Sequence, residues 1–275
     1  AKMPKLTTPD QVNLNYTDIG SGRPIVMIHG WPLSGAAFAD NATVLAAAGY
    51  RVITYDRRGF GQSGKPRDGY DYDTLAADLE ALLIGLDLRD AVLLGFSMGG
   101  GEVARYLATR GSGRVGAAIL SGSICPALCI TKDNPDGAMP REGFQELADA
   151  CAADHAGFVD QFCGWFYSND QGLTVPEEVR QRAVEIARQS APHAAVATIL
   201  AWVEDLREDC RRIDVPLLVI HGDGDQNVPL AKSSARMPEY APQAQLVVIE
   251  GGPHGINVSH ADQWNAAILN FLAGS

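Results

Sequence analysis

The sequence predicts an α/β fold in which a mostly parallel central sheet is flanked by helices and interrupted by a helical cap. Three observations carry that prediction. Short apolar runs alternate with segments of helical period, as parallel strands do when crossover helices bury both faces of a sheet. One of those runs, Ala91-Val92-Leu93-Leu94, leads through Gly95-Phe96-Ser97-Met98-Gly99 into a helix-like segment. The chain between Ser121 and Pro216 is too long for a loop and reads mainly as helix. With 275 residues, 46% of them hydrophobic, the protein can bury a large core as one body.

Along the chain, Val12 to Ile19 alternates in polarity and suits an antiparallel edge hairpin, and Pro24 to Ile28 is the first buried strand. Arg51 to Tyr55 is the next strand, followed by a helical pattern from Thr74 to Leu86. The Ala91 strand and a helix from Gly101 to Arg110 come next, then a strand from Gly116 to Ser121. Residues 122–212 are expected to form the cap, inserted into a core made of 1–121 and 213–275. Its helices are read at Pro140 to Ala153, Ala156 to Ser168, Pro176 to Ser190 and Ala194 to Glu208. Thr174-Val175-Pro176-Glu177 has the form of a capping box with proline in the first turn. The core resumes with strands at Val215 to Ile220 and Gln245 to Ile249 and closes with a helix from Ala261 to Leu272.

Composition narrows the function. Lys and Arg total 22 against 33 for Asp and Glu, a net charge of −11 without a basic block, which argues against nucleic acid or anionic membrane as partner. Ala1-Lys2-Met3-Pro4-Lys5 has no apolar signal core and no apolar run approaches ~20 residues, so a cytoplasmic location is expected. Five cysteines, at 125, 129, 151, 163 and 210, lack metal-ligand spacing and read as reduced thiols. The glycines at 99–101 lie inside the helix after the turn rather than before it, and no phosphate-loop lysine follows; no zinc, haem or dinucleotide pattern is present, so no cofactor is expected. Self-association is left open.

The chemistry centres on Ser97. Glycines at 95 and 99 remove the Cβ atoms that would collide where a strand reverses sharply into a helix, leaving the serine hydroxyl exposed on a strained turn. A serine needs a base to take its proton and a carboxylate to orient the base, in the chain order Ser, acid, His. His254, in the Gly/Pro-rich turn Gly251-Gly252-Pro253-His254-Gly255 after the last strand, is the preferred base among six histidines. His260 reads as a surface or capping residue, His155 and His193 as packing or solvent-facing, and His221 as shaping the acid loop. Asp225 is preferred as the acid over Asp223, which is expected to bond its own backbone two residues on as a turn former. An oxyanion hole would draw on the backbone N–H of Met98 and of Trp31, because Pro32 has none. His29 before it is read as shaping that loop. The pocket residues expected are Pro32, Phe96, Phe162 and Trp202, although most of the aromatic cluster that also holds Trp165, Phe166 and Tyr167 reads as packing.

Together these residues resemble a known family. His29-Gly30-Trp31-Pro32, Tyr55-Asp56-Arg57-Arg58-Gly59-Phe60-Gly61-Gln62-Ser63, Gly69 to Thr74, Gly95 to Gly99, Ala201-Trp202-Val203-Glu204-Asp205 and Gly252 to Gly255 are similar to the cofactor-free haloperoxidases, also called perhydrolases and arylesterases. The resemblance spans nearly the whole chain and is weakest from about 122 to 212. It implies the α/β-hydrolase fold, Ser97, Asp225 and His254 as a triad, and Trp31 and Met98 as the oxyanion hole. It also implies a serine esterase acting on small carboxylic esters through an acyl-enzyme. Hydrogen peroxide as co-substrate would give a peracid that oxidises halide without a cofactor. A lactonase or amidase with the same triad, and a slow-turnover binding protein on the same fold, are the alternatives. Dehalogenase or epoxide-hydrolase chemistry is disfavoured, because those relatives carry Asp where this chain has Ser97.

Overall fold

The apolar runs become strands of an eight-stranded sheet in the computed structural model, which describes residues 4–275. Residues 1–3, on which the leader reading partly falls, lie outside the described residues. The strands are β1 (Lys5–Thr7), β2 (Asn13–Gly20), β3 (Arg23–Ile28), β4 (Tyr50–Tyr55), β5 (Ala91–Phe96), β6 (Val115–Ser121), β7 (Leu217–Gly222) and β8 (Gln245–Ile249), in the spatial order β1-β2-β4-β3-β5-β6-β7-β8. From β4 to β8 all pairings are parallel. The N-terminal hairpin is antiparallel as expected, but its longer strand is not the edge. β2 pairs with β4 on one side and with the short β1 on the other, which covers the first three residues of its outer edge.

Helices follow the strands: α1 (Ala39–Ala47) after β3, α2 (Tyr72–Gly85) after β4, α3 (Gly99–Arg110) after β5, and α9 (Ala261–Ala273) after β8. The step from β3 to β4 runs one way along the sheet and every later step runs the other way. Right-handed crossovers therefore place α1 on one face and α2 and α3 on the other, α1 packing with α9 and α2 with α3. The reversal opens a crevice at the carboxyl ends of β3 and β5, where register pairs Ile28 with Gly95. The loop after β3 and the turn after β5 meet there.

Between β6 and β7 the chain forms α4 (Arg141–Ala153), α5 (His155–Phe166), α6 (Glu177–Ala187), α7 (Pro192–Ala201) and the short α8 (Arg207–Arg211). Two readings are corrected here. The helix expected from Ala194 to Glu208 breaks after Ala201, where polar groups bond to distant parts of the chain: Leu206 N–H donates to the Pro126 carbonyl at 3.0 Å, and a Glu204 carboxylate oxygen accepts from Tyr72 N–H at 3.1 Å. The capping box at Thr174 does not form. Both the N–H and the hydroxyl of Thr174 donate to the Tyr167 carbonyl, at 2.9 and 2.6 Å, and α6 starts without a side-chain cap. Among the described residues no helix is long and apolar enough to cross a membrane.

Backbone segments also come into close contact at the end of β5. A Cβ on Gly95 would lie 2.6 Å from the Gly100 nitrogen, and one on Gly99 would lie 2.6 Å from the Ile28 carbonyl oxygen. Replacing Gly95 by alanine is expected to lower stability by about 1–3 kcal/mol through overpacking. Gly113→Ala, where nothing lies within 4 Å, serves as the neutral control. Thermal unfolding of the two variants checks this, and equal melting temperatures would refute it.

Candidate active site

Ser97 sits between β5 and α3 with φ 56°, the left-handed region that non-glycine residues rarely occupy. The backbone is held there from three directions. Ser97 N–H donates to the Ser121 carbonyl at 2.8 Å, and the Ser97 carbonyl accepts from Gly100 N–H at 3.1 Å and Ile124 N–H at 3.3 Å. The Tyr72 hydroxyl donates to the Met98 carbonyl at 2.8 Å. The loop after β3 comes close enough that a Cβ on Gly30 would lie 3.2 Å from that of Ser97. Among the described residues, neither the Trp31 N–H nor the Met98 N–H donates to a protein acceptor, so two amides are left unengaged on either side of the serine. The Trp31 indole is anchored away from them by an Nε1–H bond of 3.0 Å to the Ala195 carbonyl.

The acid loop follows β7 and the histidine loop follows β8. His254 Nδ1 lies 2.7 Å from Asp225 Oδ2, so Nδ1 carries the proton and Nε2 is left as an acceptor. The ring is set by edge contacts with Phe166 at 4.8 Å and Phe96 at 5.3 Å between centroids. The other Asp225 oxygen accepts from the N–H groups of Asn227 at 2.9 Å and Val228 at 2.8 Å. Burial alone would raise this carboxyl; the charge and hydrogen bond of His254 and the hydrogen bond of His221 outweigh it and hold the group well below the usual carboxylate range. The two aspartates divide the work differently from the reading above. Asp225 is the residue that bonds its own backbone two residues on, while Asp223 instead accepts the Gly251 N–H at 2.7 Å and ties the acid loop to the histidine loop. His221 reaches Val228 O with Nε2 at 2.8 Å and Ser234 Oγ with Nδ1 at 2.7 Å, closing the acid loop from below.

Ser97 and His254 line one cavity of about 310 Å³. Its walls come from the segment after β6 (Ile124, Leu128, Ala138, Met139), from α4 (Phe144, Leu147), from α5 (Phe162, Trp165), from Trp202 after α7, and from the acid loop (Gln226 to Pro229). Of the expected pocket residues, Phe162 and Trp202 line it and Phe96 and Pro32 do not. Phe96 lies under the site, stacked on Phe166 at 5.8 Å and edge-on to His254, and Pro32 is buried after the cis Trp31–Pro32 peptide. Trp202 Nε1 and Asn227 Oδ1 are buried without a partner in the protein. His155 bonds Ser190, His193 the Pro66 carbonyl and His260 Ser259, all apart from this cavity.

Residues 23–261 match the family model described as alpha/beta hydrolase fold. A putative non-heme chloroperoxidase of Synechocystis sp. is 45% identical over 95% of both chains. A bifunctional esterase/perhydrolase of Acinetobacter calcoaceticus is 34% identical over 97% of this chain and 98% of its own. The chain belongs to the non-haem haloperoxidases of the α/β-hydrolase fold. The crystal structure of a bromoperoxidase from Bacillus anthracis superposes with a TM-score of 0.96 at 39% identity, covering 99% of this chain and 100% of that one. This haloperoxidase is accordingly a serine ester hydrolase with perhydrolase activity, and its substrates are small molecules.

Beneath the loop after β3 the haloperoxidase carries a buried ionic network that the sequence reading passed over. Arg57 N–H donates to His29 Nε2 at 2.8 Å, and His29 Nδ1 meets the Gly30 carbonyl at 3.0 Å, which makes His29 a neutral Nδ1–H tautomer. Burial, and then the Arg57 charge, keep that imidazole far below its ordinary range. The Arg57 guanidinium also donates to the His29 carbonyl at 2.6 Å and pairs with Glu102 at 2.5 Å. The available signal was a charged side chain, Glu102, in the glycine-rich first turn of a helix whose start is buried. Burial pushes the Glu102 carboxyl up to about 7, against the opposing pull of Arg57. Folded protein therefore holds a proton that the unfolded chain, with a carboxyl near ~4.3, has already lost, so this group's contribution to stability falls as pH rises from about 4.3 to about 7. Glu102→Gln, which keeps the shape of the neutral carboxyl, is expected to flatten that part of the stability profile. Urea unfolding at stepwise pH checks it, and an unchanged slope would refute the assignment.

Proposed function

We propose that this haloperoxidase cleaves small carboxylic esters through an acyl-enzyme on Ser97, with His254 as base, Asp225 as its orienting acid, and the amides of Trp31 and Met98 as the oxyanion hole. The observation that carries the reading is the 2.7 Å His254–Asp225 contact in the same cavity as a serine held at φ 56°. Ser97 Oγ attacks the ester carbonyl as its proton passes to His254 Nε2, the carbonyl oxygen gains charge facing the two unengaged amides, and the alkoxide leaves with the proton from His254. Water then releases a carboxylic acid. Hydrogen peroxide in its place releases a peracid, the species that oxidises halide. Residues 122–212 act as a cap that supplies the acyl pocket, with Phe162, Trp165 and Trp202 as its aromatic wall. Five buried, unpaired thiols support a reducing, cytoplasmic setting. One observation favours cyclic amides as a second substrate class: Asn227 Oδ1 is a buried acceptor without a partner beside the cavity, and a lactam N–H is a donor that an ester lacks.

Ser97→Ala is expected to lower p-nitrophenyl acetate turnover by on the order of a thousandfold or more and to abolish labelling by a fluorophosphonate, and Asp225→Asn to cripple turnover while Asp223→Asn largely spares it. Bromination of monochlorodimedone with hydrogen peroxide should proceed in acetate, be unaffected by chelators, and stop in phosphate alone or in Ser97→Ala. More than a tenth of the activity surviving in Ser97→Ala would refute the nucleophile, and bromination in phosphate would refute the peracid route.

A further inference from the structure

The peracid route makes a strong oxidant inside a small cavity, and the wall of that cavity contains one sulfur. Of the five methionines, Met27, Met98 and Met237 are fully buried in the core, and Met3 lies outside the described residues. Met139 is half-buried and lines the cavity together with Ser97 and His254. Its backbone is held opposite Cys129 in a two-residue strand pair, with its N–H 3.3 Å from the Leu128 carbonyl, and its side chain lies against Gly143 at the start of α4. No cysteine lines the cavity among the described residues, and burial raises the nearby cap thiols, Cys151 to about 11 and Cys163 to about 12, so they stay protonated and unreactive.

We propose that Met139 is a turnover-linked modification site, a thioether that takes the terminal peroxy oxygen from peracid formed at Ser97 before the product leaves the cavity. The proposal rests on the perhydrolase reading above. At about 310 Å³ the cavity is at the lower end of the ligand-pocket range, so a product released there meets its walls before it meets solvent. The sulfur lone pair attacks the terminal oxygen, an S–O bond forms as the O–O bond breaks, and the peroxy proton leaves on the carboxylic acid. Sulfur loses two electrons and the peracid gains them; the oxidising equivalent comes from the hydrogen peroxide consumed in making the peracid. The product sulfoxide places a polar oxygen in an apolar wall, so activity declines with the number of peracids made rather than with time.

The test turns the wild-type enzyme over in acetate and hydrogen peroxide, follows bromination, and reads the tryptic peptide Asp133–Arg141, whose one sulfur is that of Met139, by mass spectrometry. Sulfoxide in that peptide is expected to exceed, by about tenfold or more, that in Ser97→Ala under the same reagents and that in wild type with peroxide in phosphate. It should persist when excess free methionine in solution scavenges released peracid. Met139→Leu should hold its own initial bromination rate for more turnovers than wild type holds its own. Equal oxidation in Ser97→Ala, suppression by free methionine, or an intact Met139 in a sample that brominates would each overturn the inference. A wild-type sample that makes no peracid would overturn the perhydrolase reading and the inference with it.

Discussion

A strand that turns directly into a helix brings two stretches of backbone into contact, and the catalytic end of this sheet depends on how that contact is relieved between residues 95 and 99. No side chain fits at 95 or 99, since the carbonyls and amides of the next turn and of β3 occupy the space. The reversal left between them falls on Ser97, which adopts a conformation costing on the order of 1–3 kcal/mol. Bonds from Ser121, Gly100, Ile124 and Tyr72 offset that cost. Among the described residues the amide of Met98 has no protein acceptor. The strain at Ser97 and the unengaged donor beside it therefore sit on one backbone constraint.

Two buried carboxylates near this turn show how the interior sets charge. Asp225 and Glu102 are equally inaccessible, with side chains at most 1% exposed. Asp225 receives two backbone N–H groups and two imidazoles, and the combined donors overcome burial and keep it ionised. Glu102 has one strong partner, Arg57, and a long contact of 3.4 Å from the Tyr55 hydroxyl, and burial wins. The neighbours decide the outcome: the charge of His254 leads the effects that hold Asp225 down, whereas at Glu102 the pull of Arg57 does not outweigh burial.

What was readable in advance follows the range of the interactions responsible. The strand-turn-helix at Ser97 and the parallel strands are local patterns, and they appear within a few residues of where the sequence puts them. The order of Ser97, Asp225 and His254 along the chain was equally visible, whereas the division of labour between Asp223 and Asp225 was not. It depends on Gly251 and His254, nearly thirty residues away, as the 28- and 29-residue separations of those bonds show. The failed capping box at Thr174 and the break after Ala201 have the same origin, because distant carbonyls and amides outbid the local helix for the same groups. Phe96 was misplaced because alternation along a strand does not say which neighbour a terminal side chain meets. The network of Arg57, Glu102 and His29 joins three elements and has no pattern within any one of them.

The break after Ala201 also links the pocket wall to the turn at Ser97. Tyr72 begins α2, and its hydroxyl holds the Met98 carbonyl while its N–H is held by Glu204, two residues beyond Trp202. Glu204 is in turn paired with Arg105 of the helix that Ser97 introduces, and Arg105 also grips Asp209 of α8. Trp202 packs edge-on against Trp31 at 5.4 Å, so the residue that lines the cavity also bears on the loop supplying the second unengaged amide. Trp202 is thus joined by contact to both sides of Ser97, through the Trp31 ring on one and through Glu204 and Tyr72 on the other. A continuous helix from 194 to 208 would have packed the cap more simply but would have left its wall without a polar connection to the turn that holds the nucleophile.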